Sequence, residues 1–86
     1  MTVPSRGTPE FCKLYRGLPV EACILARKNY QIWSKFPFHP LLHFKKIGGG
    51  KWSVRLGLNY RAVGMFHDGI FVWDWIGTHA EYDRLP

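Results

Sequence analysis

The chain has 86 residues, the size of one small domain that buries about 60% of the surface its unfolded chain exposes. Hydrophobic residues make up 47% of it and four are Trp, which excludes a disordered chain and supplies a core without disulfide staples. Twelve Lys and Arg against six Asp and Glu point to a polyanion or an acidic protein partner, and so few acids exclude a two-metal carboxylate centre.

The opening MTVPSRGTPEF lacks the apolar stretch of a signal peptide, and no apolar run is long enough to span a membrane. A cytoplasmic protein is expected. Residues Met1 to Arg6, interrupted by Pro4, leave little room for a strand. Thr8-Pro9-Glu10 is a helix start: a capping hydroxyl, Pro in the first turn, and an acid near the positive end of the helix dipole. This helix is expected to run to about Arg16 and stop at Gly17. Pro19 opens a second helix, VEACILARKNYQIWSKF, ended by Pro37. Its apolar residues Val20, Cys23, Ala26, Tyr30 and Trp33 follow the three-four spacing of a core-facing stripe. The two helices should form an antiparallel hairpin. Cys12 and Cys23 both fall within them, and two cysteines make no disulfide framework, so both are read as buried apolar side chains.

After the FPFHP linker the period changes to two. LLHFKKI, KWSVRLG, NYRAVGMF and GIFVWDWI read as four strands, joined by Gly48-Gly49-Gly50, by Gly57-Leu58-Asn59, and by Asp68-Gly69. If Gly57 to Asn59 form a three-residue loop, with Asn59 in the left-handed conformation, Leu56 pairs with Tyr60 and Arg55 lies opposite Arg61. Like charges so placed destabilise a sheet, by roughly 3 kcal/mol at ~5 Å and an effective dielectric of about 20. Such a pair calls for something negative to neutralise it.

Asp68-Gly69 is a two-residue hairpin turn, which pairs Gly64 with Trp73 and Val63 with Asp74. One face then carries Trp52, Val54, Leu56, Tyr60, Ala62, Gly64, Phe66, Phe71, Trp73 and Trp75, all apolar or small, and should cover the helices. Trp52, Trp73 and Trp75 are expected to be buried against Tyr30 and Trp33, and Gly64 to leave room for the Trp52 and Trp73 indoles. The other face carries Ser53, Arg55, Arg61, Val63, Met65, Val72, Asp74 and Ile76. There Asp74 is expected to orient Arg61. A three-residue GGG loop adds His43, opposite Arg55, and Lys45, opposite Ser53; a four-residue loop reverses that addition.

His79 follows the last strand in IGTHAEYDRLP, with Tyr82 one helical turn on, so both can point back over the end of the sheet. An imidazole suits general acid or base work, and Tyr82 could stack on a base or relay a proton; a terminal His and Tyr also often just cap and pack a last helix. A metal site fits poorly: His39 and His43 have no carboxylate or thiolate nearby, and His67 lies in a turn. No Walker loop, Ser/His/Asp order or Cys nucleophile motif is present. Metal-free phosphodiester cleavage is easier on RNA, whose 2′-hydroxyl supplies the nucleophile, and needs cations plus a positioned acid and base. Arg55, Arg61, Lys45 and His79 meet that need.

The order of a helical hairpin, HPLLHFKKI, WSVRLGLNYRAV and VWDWIGTHAEYDRL resembles the RelE/ParE toxin superfamily of bacterial toxin–antitoxin systems, over about residues 8 to 85. The Ser-Val-Arg…Tyr-Arg hairpin and the Ile-Gly-Thr-His ending are the most specific parts. The resemblance implies one α+β domain over residues 1–86, with an N-terminal helical hairpin on an antiparallel sheet of about four strands. For the RelE- and HigB-like branches it implies a metal-independent, ribosome-dependent mRNA endonuclease without a cofactor. Arg55, Arg61, His79 and Tyr82 would then be the catalytic set. Lys45, Lys46, Lys51 and His43, or His39, would bind RNA phosphate. The implied partners are a cognate antitoxin, with which an oligomer can form, and the ribosome with its mRNA. The alternatives are a ParE-like gyrase inhibitor that works by binding, and a basic RNA- or ribosome-binding module without catalysis.

Overall fold

The computed structural model describes residues 2–85; Met1 and Pro86, the ends of the expected 1–86 span, lie outside the described residues. The elements are β1 (Ser5–Gly7), α1 (Pro9–Arg16), α2 (Val20–Lys35), a 3-10 turn (Pro40–Leu42), β2 (Lys45–Gly48), β3 (Lys51–Leu56), β4 (Tyr60–His67), β5 (Ile70–Thr78) and α3 (His79–Tyr82). The fold is α+β as expected, with a sheet of five strands rather than four, in the order β1-β5-β4-β3-β2.

The added strand is β1, which runs parallel to β5 with Ser5 beside Phe71 and Gly7 beside Trp73. Pro4 does not prevent it. The strand is three residues long and lies at the sheet edge, and the Pro4 carbonyl still accepts the Phe71 N–H at 3.0 Å. Helix α1 begins and ends where expected: the Thr8 hydroxyl accepts from the Phe11 N–H, Pro9 occupies the first turn, and Gly17 caps the C-terminus.

Helix α2 is rotated from the expected stripe. Its buried residues are Ala22, Ala26, Asn29, Trp33 and Ser34, while Val20 is exposed and Tyr30 reaches out to bond Ser5 Oγ. Asn29 and Ser34 are polar members of the buried side that a purely apolar pattern passes over. Cys12 is exposed and Cys23 half-buried, so neither thiol is a core side chain. α1 buries no residue fully, which leaves Cys12 at the surface.

Trp33 sits at the centre of the core with no exposed surface, its ring 5.0 Å from Phe71 and 4.9 Å from Trp73. Its apolar burial is worth on the order of 4–6 kcal/mol at the usual value per unit of area, less about 1–3 kcal/mol for its Nε1–H, which is buried without a partner among the described residues. Leu42, Phe44, Val54, Leu56, Ala62, Phe71, Trp73 and Ile76 surround it.

The β3–β4 ladder has the expected register, with Leu56 opposite Tyr60 and Arg55 opposite Arg61. The left-handed residue of its loop is Gly57, at φ 70°, not Asn59. A Cβ there would come within 2.7 Å of Leu25, so the loop needs glycine for space as well as for backbone conformation. The β4–β5 turn is as read, with Asp68 and Gly69 both at positive φ.

Beyond that turn β5 departs from the expected register. Gly64 pairs with Trp73 but Val63 pairs with Trp75, so Asp74 is the extra residue of a β-bulge. The bulge exchanges the faces of the residues that follow. Ile76 enters the core, while Trp75 leaves it and packs near Tyr82. Trp52 is also only half-buried, stacked on Phe44, which leaves Trp73 as the one indole of the expected three that packs against Trp33. Gly64 makes room not for the indoles but for the Phe71 ring and the Val72 carbonyl, which a Cβ would approach to 2.4 and 2.5 Å.

In the β2–β3 hairpin, Lys45 lies opposite Ser53 as expected, but by another route. Gly48 pairs with Lys51 around a Gly49-Gly50 turn, and a bulge between Lys46 and Gly48 absorbs the extra residue. Leu41 to Phe44 are not strand. His43 adopts a left-handed conformation at the end of the 3-10 turn, which delays β2 until Lys45.

Candidate functional site

The sheet face turned away from α2 brings Arg61, His79 and Tyr82 together. Arg61 Nε–H donates to His79 Nδ1 at 3.1 Å, and the guanidinium lies over the Tyr82 ring, 5.0 Å from its centroid. The Trp75 ring stands 6.4 Å from Tyr82. Arg61 Nη1 is buried and has no hydrogen-bond partner among the described residues. A buried donor of a charged group left in that state is costly, and a ligand oxygen would relieve it.

Asp74 does not orient Arg61. As the bulge residue it turns to Lys51, with Nζ 3.5 Å from Oδ2. The opposed arginines are relieved by divergence instead of by an acid. Arg55 Nε–H donates to the Gly57 carbonyl at 3.0 Å and its Nη1 lies 3.5 Å from His43 Nε2, while Arg61 turns to α3. Among the described residues neither guanidinium is within ion-pair distance of a carboxylate.

Short as it is, α3 is held from both sides. The His79 N–H donates to the Asn59 carbonyl at 2.7 Å, tying the helix to the β3–β4 loop. Thr78 and Glu81 form a reciprocal capping box. The Thr78 backbone N–H and then its hydroxyl, both donating to the Glu81 carboxylate, hold that carboxyl below its ordinary pKa, with Arg84 adding to the effect. Since Nδ1 of His79 accepts from Arg61, the proton of the neutral ring resides on Nε2, which lies 3.5 Å from Asp83 Oδ2.

The remaining basic residues divide between the two faces. Lys45 shares the arginine face through its pairing with Ser53, whose buried hydroxyl is also without a partner. Lys51 is on that face but engaged by Asp74. Lys46 projects to the opposite face, over Trp52, and is not brought to the site. His43 joins through Arg55, whereas His39 is occupied in capping the 3-10 turn, its Nδ1 accepting from the Leu41 N–H. Trp75 and Glu81 belong to the cluster and were not anticipated. The Thr-His-Ala-Glu spacing is a legible capping box, but the bulge that delivers Trp75 leaves no comparable mark.

Among the described residues no group of three or more His, Cys, Asp or Glu is arranged to hold a metal ion, and no helix is long and apolar enough to cross a membrane.

No family model matches the chain, and no curated protein matches it by sequence. Solved structures do match it by shape. It is similar to the RelBE2 toxin–antitoxin complex from Mycobacterium tuberculosis, at 18% identity over 92% of this chain and 100% of that one, with a TM-score of 0.74. It is similar to the RelB–RelE antitoxin–toxin complex from Methanococcus jannaschii, at 18% identity over 93% and 98% of the two chains and a TM-score of 0.70. YafQ from Escherichia coli matches at 12% identity over 91% and 94%, with a TM-score of 0.63. The fold is that of the RelE-type toxins.

Proposed function

We propose that this chain, a single domain with the fold of the RelE-type toxins, is the toxin of a toxin–antitoxin system. In this reading it acts in the cytoplasm as a metal-independent endoribonuclease on ribosome-bound mRNA. The observation that carries the reading is the arginine pair. Two arginines stand opposite each other in a ladder, neither guanidinium has a carboxylate partner among the described residues, one has an unpaired buried N–H, and an imidazole and a phenol stand beside it. That array suits a phosphodiester.

A phosphate that takes the Arg61 fork releases His79 Nδ1 from its hydrogen bond. The freed nitrogen is then the base for the RNA 2′-hydroxyl proton. The 2′ oxygen forms its bond to phosphorus as the bond to the 5′ oxygen breaks, and Arg55 and Arg61 stabilise the added negative charge. In this reading Tyr82, whose ring lies under the Arg61 guanidinium, gives a proton to the departing 5′ oxygen. Lys45 extends the cationic surface across β2, and His43 adds an imidazole beside Arg55. The partner that neutralises the chain is an antitoxin segment laying carboxylates on the arginines.

The test is primer extension on mRNA in translating ribosomes mixed with the purified chain, with the new 3′ ends examined for the 2′,3′-cyclic phosphate that 2′-hydroxyl attack leaves. Cleavage within the A-site codon with that end group is expected and should be lost in His79→Ala. Growth inhibition without mRNA cleavage, unaffected by His79→Ala and accompanied by gyrase inhibition, would replace this reading with the gyrase-binding one.

A further inference from the structure

We propose that the face opposite the arginines carries a second RNA contact, an aromatic platform on which unpaired bases stack. It rests on the reading that the chain acts on RNA. Phe38 is 68% exposed and Phe66 44% exposed, although both are large apolar rings. Both touch Trp52, with ring centroids 6.1 and 5.9 Å away, and Trp52 in turn stacks on buried Phe44 at 4.5 Å and 22°. The result is a set of exposed rings fastened to the core through a rigid half-buried indole. A contiguous exposed apolar patch of this kind marks an interaction surface.

Its charge decides the occupant. Lys46 Nζ lies over the Trp52 ring at 5.9 Å from the centroid, so a cation stands at the platform itself. The nearest acid in sequence, Asp68, sits in the adjoining turn within 3.6 Å of His67 Nε2. Exposed rings interleaved with cations are the pattern that binds single-stranded nucleic acid: the rings take any base and the cations track the backbone. Strand β2 connects the two faces. Lys45 opposes Ser53 and Lys46 opposes Trp52, so consecutive lysines on this edge strand serve opposite sides of the sheet. A single strand held at the arginines must pass around edge strand β2 to reach the platform. This also gives Lys46 a role, since the arginine cluster leaves it out.

The experiment measures binding of the full chain to a fluorescent oligouridylate and to inorganic polyphosphate, which has the charge but no bases. In the double variant Phe38→Ala/Phe66→Ala, oligouridylate affinity should fall about ten- to a hundredfold. Polyphosphate affinity should be unchanged, and the Phe38→Leu/Phe66→Leu variant should not restore RNA binding, because leucine keeps the apolar area but has no ring. Unchanged oligouridylate binding, rescue by leucine, or equal loss toward both polyanions would each overturn the platform. Each of these, like a wild-type chain that binds no oligouridylate, overturns the platform and leaves the arginine site standing, whereas a chain that cleaves no mRNA on translating ribosomes would remove the RNA reading beneath it.

Discussion

Strand β4 is shared by two ladders that behave differently. Its pairing with β3 is regular along its length, whereas its pairing with β5 is broken by a bulge at Asp74. The regular ladder does one thing: it sets Arg55 against Arg61. The bulged ladder builds their surroundings. By reversing the faces after Trp73 it sends Ile76 into the core, brings Trp75 to Tyr82, and hands Asp74 to Lys51, so that no acid quenches the arginines. A bulge beside a site inserts one extra residue and so re-aims the side chains that follow it. Here it separates a structural indole from a site indole only two residues away.

The largest test of that division compares the two indoles. Trp73→Ala should cost about 3–5 kcal/mol in denaturant unfolding, because it opens a cavity against Trp33 and Phe71. Trp75→Ala should cost about 1 kcal/mol, as expected for a half-buried side chain. Equal losses would mean that the bulge does not switch the faces. Next in size, Gly64→Ala should destabilise by about 2–3 kcal/mol, since its methyl meets an aromatic ring and a backbone carbonyl in the adjoining strand. A smaller loss would show that the ladders can move apart there.

Below these lies the ion pair. Asp74→Asn should change stability by less than about 1 kcal/mol, and the difference should shrink at high salt, because Lys51 is half exposed. The same variant frees Lys51 on the arginine face, so RNA affinity should rise slightly.

The pH response of α3 is the smallest effect. Glu81 is stabilised as the carboxylate by the Thr78 backbone and hydroxyl bonds, so its folded pKa is lowered. Its contribution is therefore complete above the unfolded value of about 4.3 and is lost as pH falls through the lowered folded value. Amide protection at Thr78 and Glu81, relative to the intrinsic exchange rate at each pH, should fall only in that acidic range; protection lost already near neutral pH would point to a cause other than this carboxyl.

The same contrast explains what could be read from residues alone. Turn residues and period-two patterning specify a regular ladder, so the Arg55–Arg61 opposition was legible, as were the α1 boundaries from Thr8, Pro9 and Gly17. The bulge was not, because Val-Trp-Asp-Trp-Ile alternates equally well without one, and only packing of Ile76 against the helices favours the shifted register. β1 was missed because three residues after a proline carry too little pattern, although a parallel partner is enough to order them. The α2 stripe was misplaced by two polar residues, Asn29 and Ser34, that the core accepts. His79 and Tyr82 were singled out from the residues alone, but their contacts with Arg61 depend on the capping box and the Asn59 tether.

Arg61→Ala tests the central claim most directly, with thermal midpoint and A-site mRNA cleavage measured on the same preparation. The substitution removes a like-charge neighbour together with the His79 bond and the Tyr82 contact, and no core volume. The midpoint should therefore move by less than about 5 °C. Cleavage should fall by about a hundred- to a thousandfold, the usual cost of one lost transition-state donor. A variant that unfolds would make Arg61 a structural residue, and a folded variant that cleaves at the wild-type rate would take the arginine pair out of the chemistry.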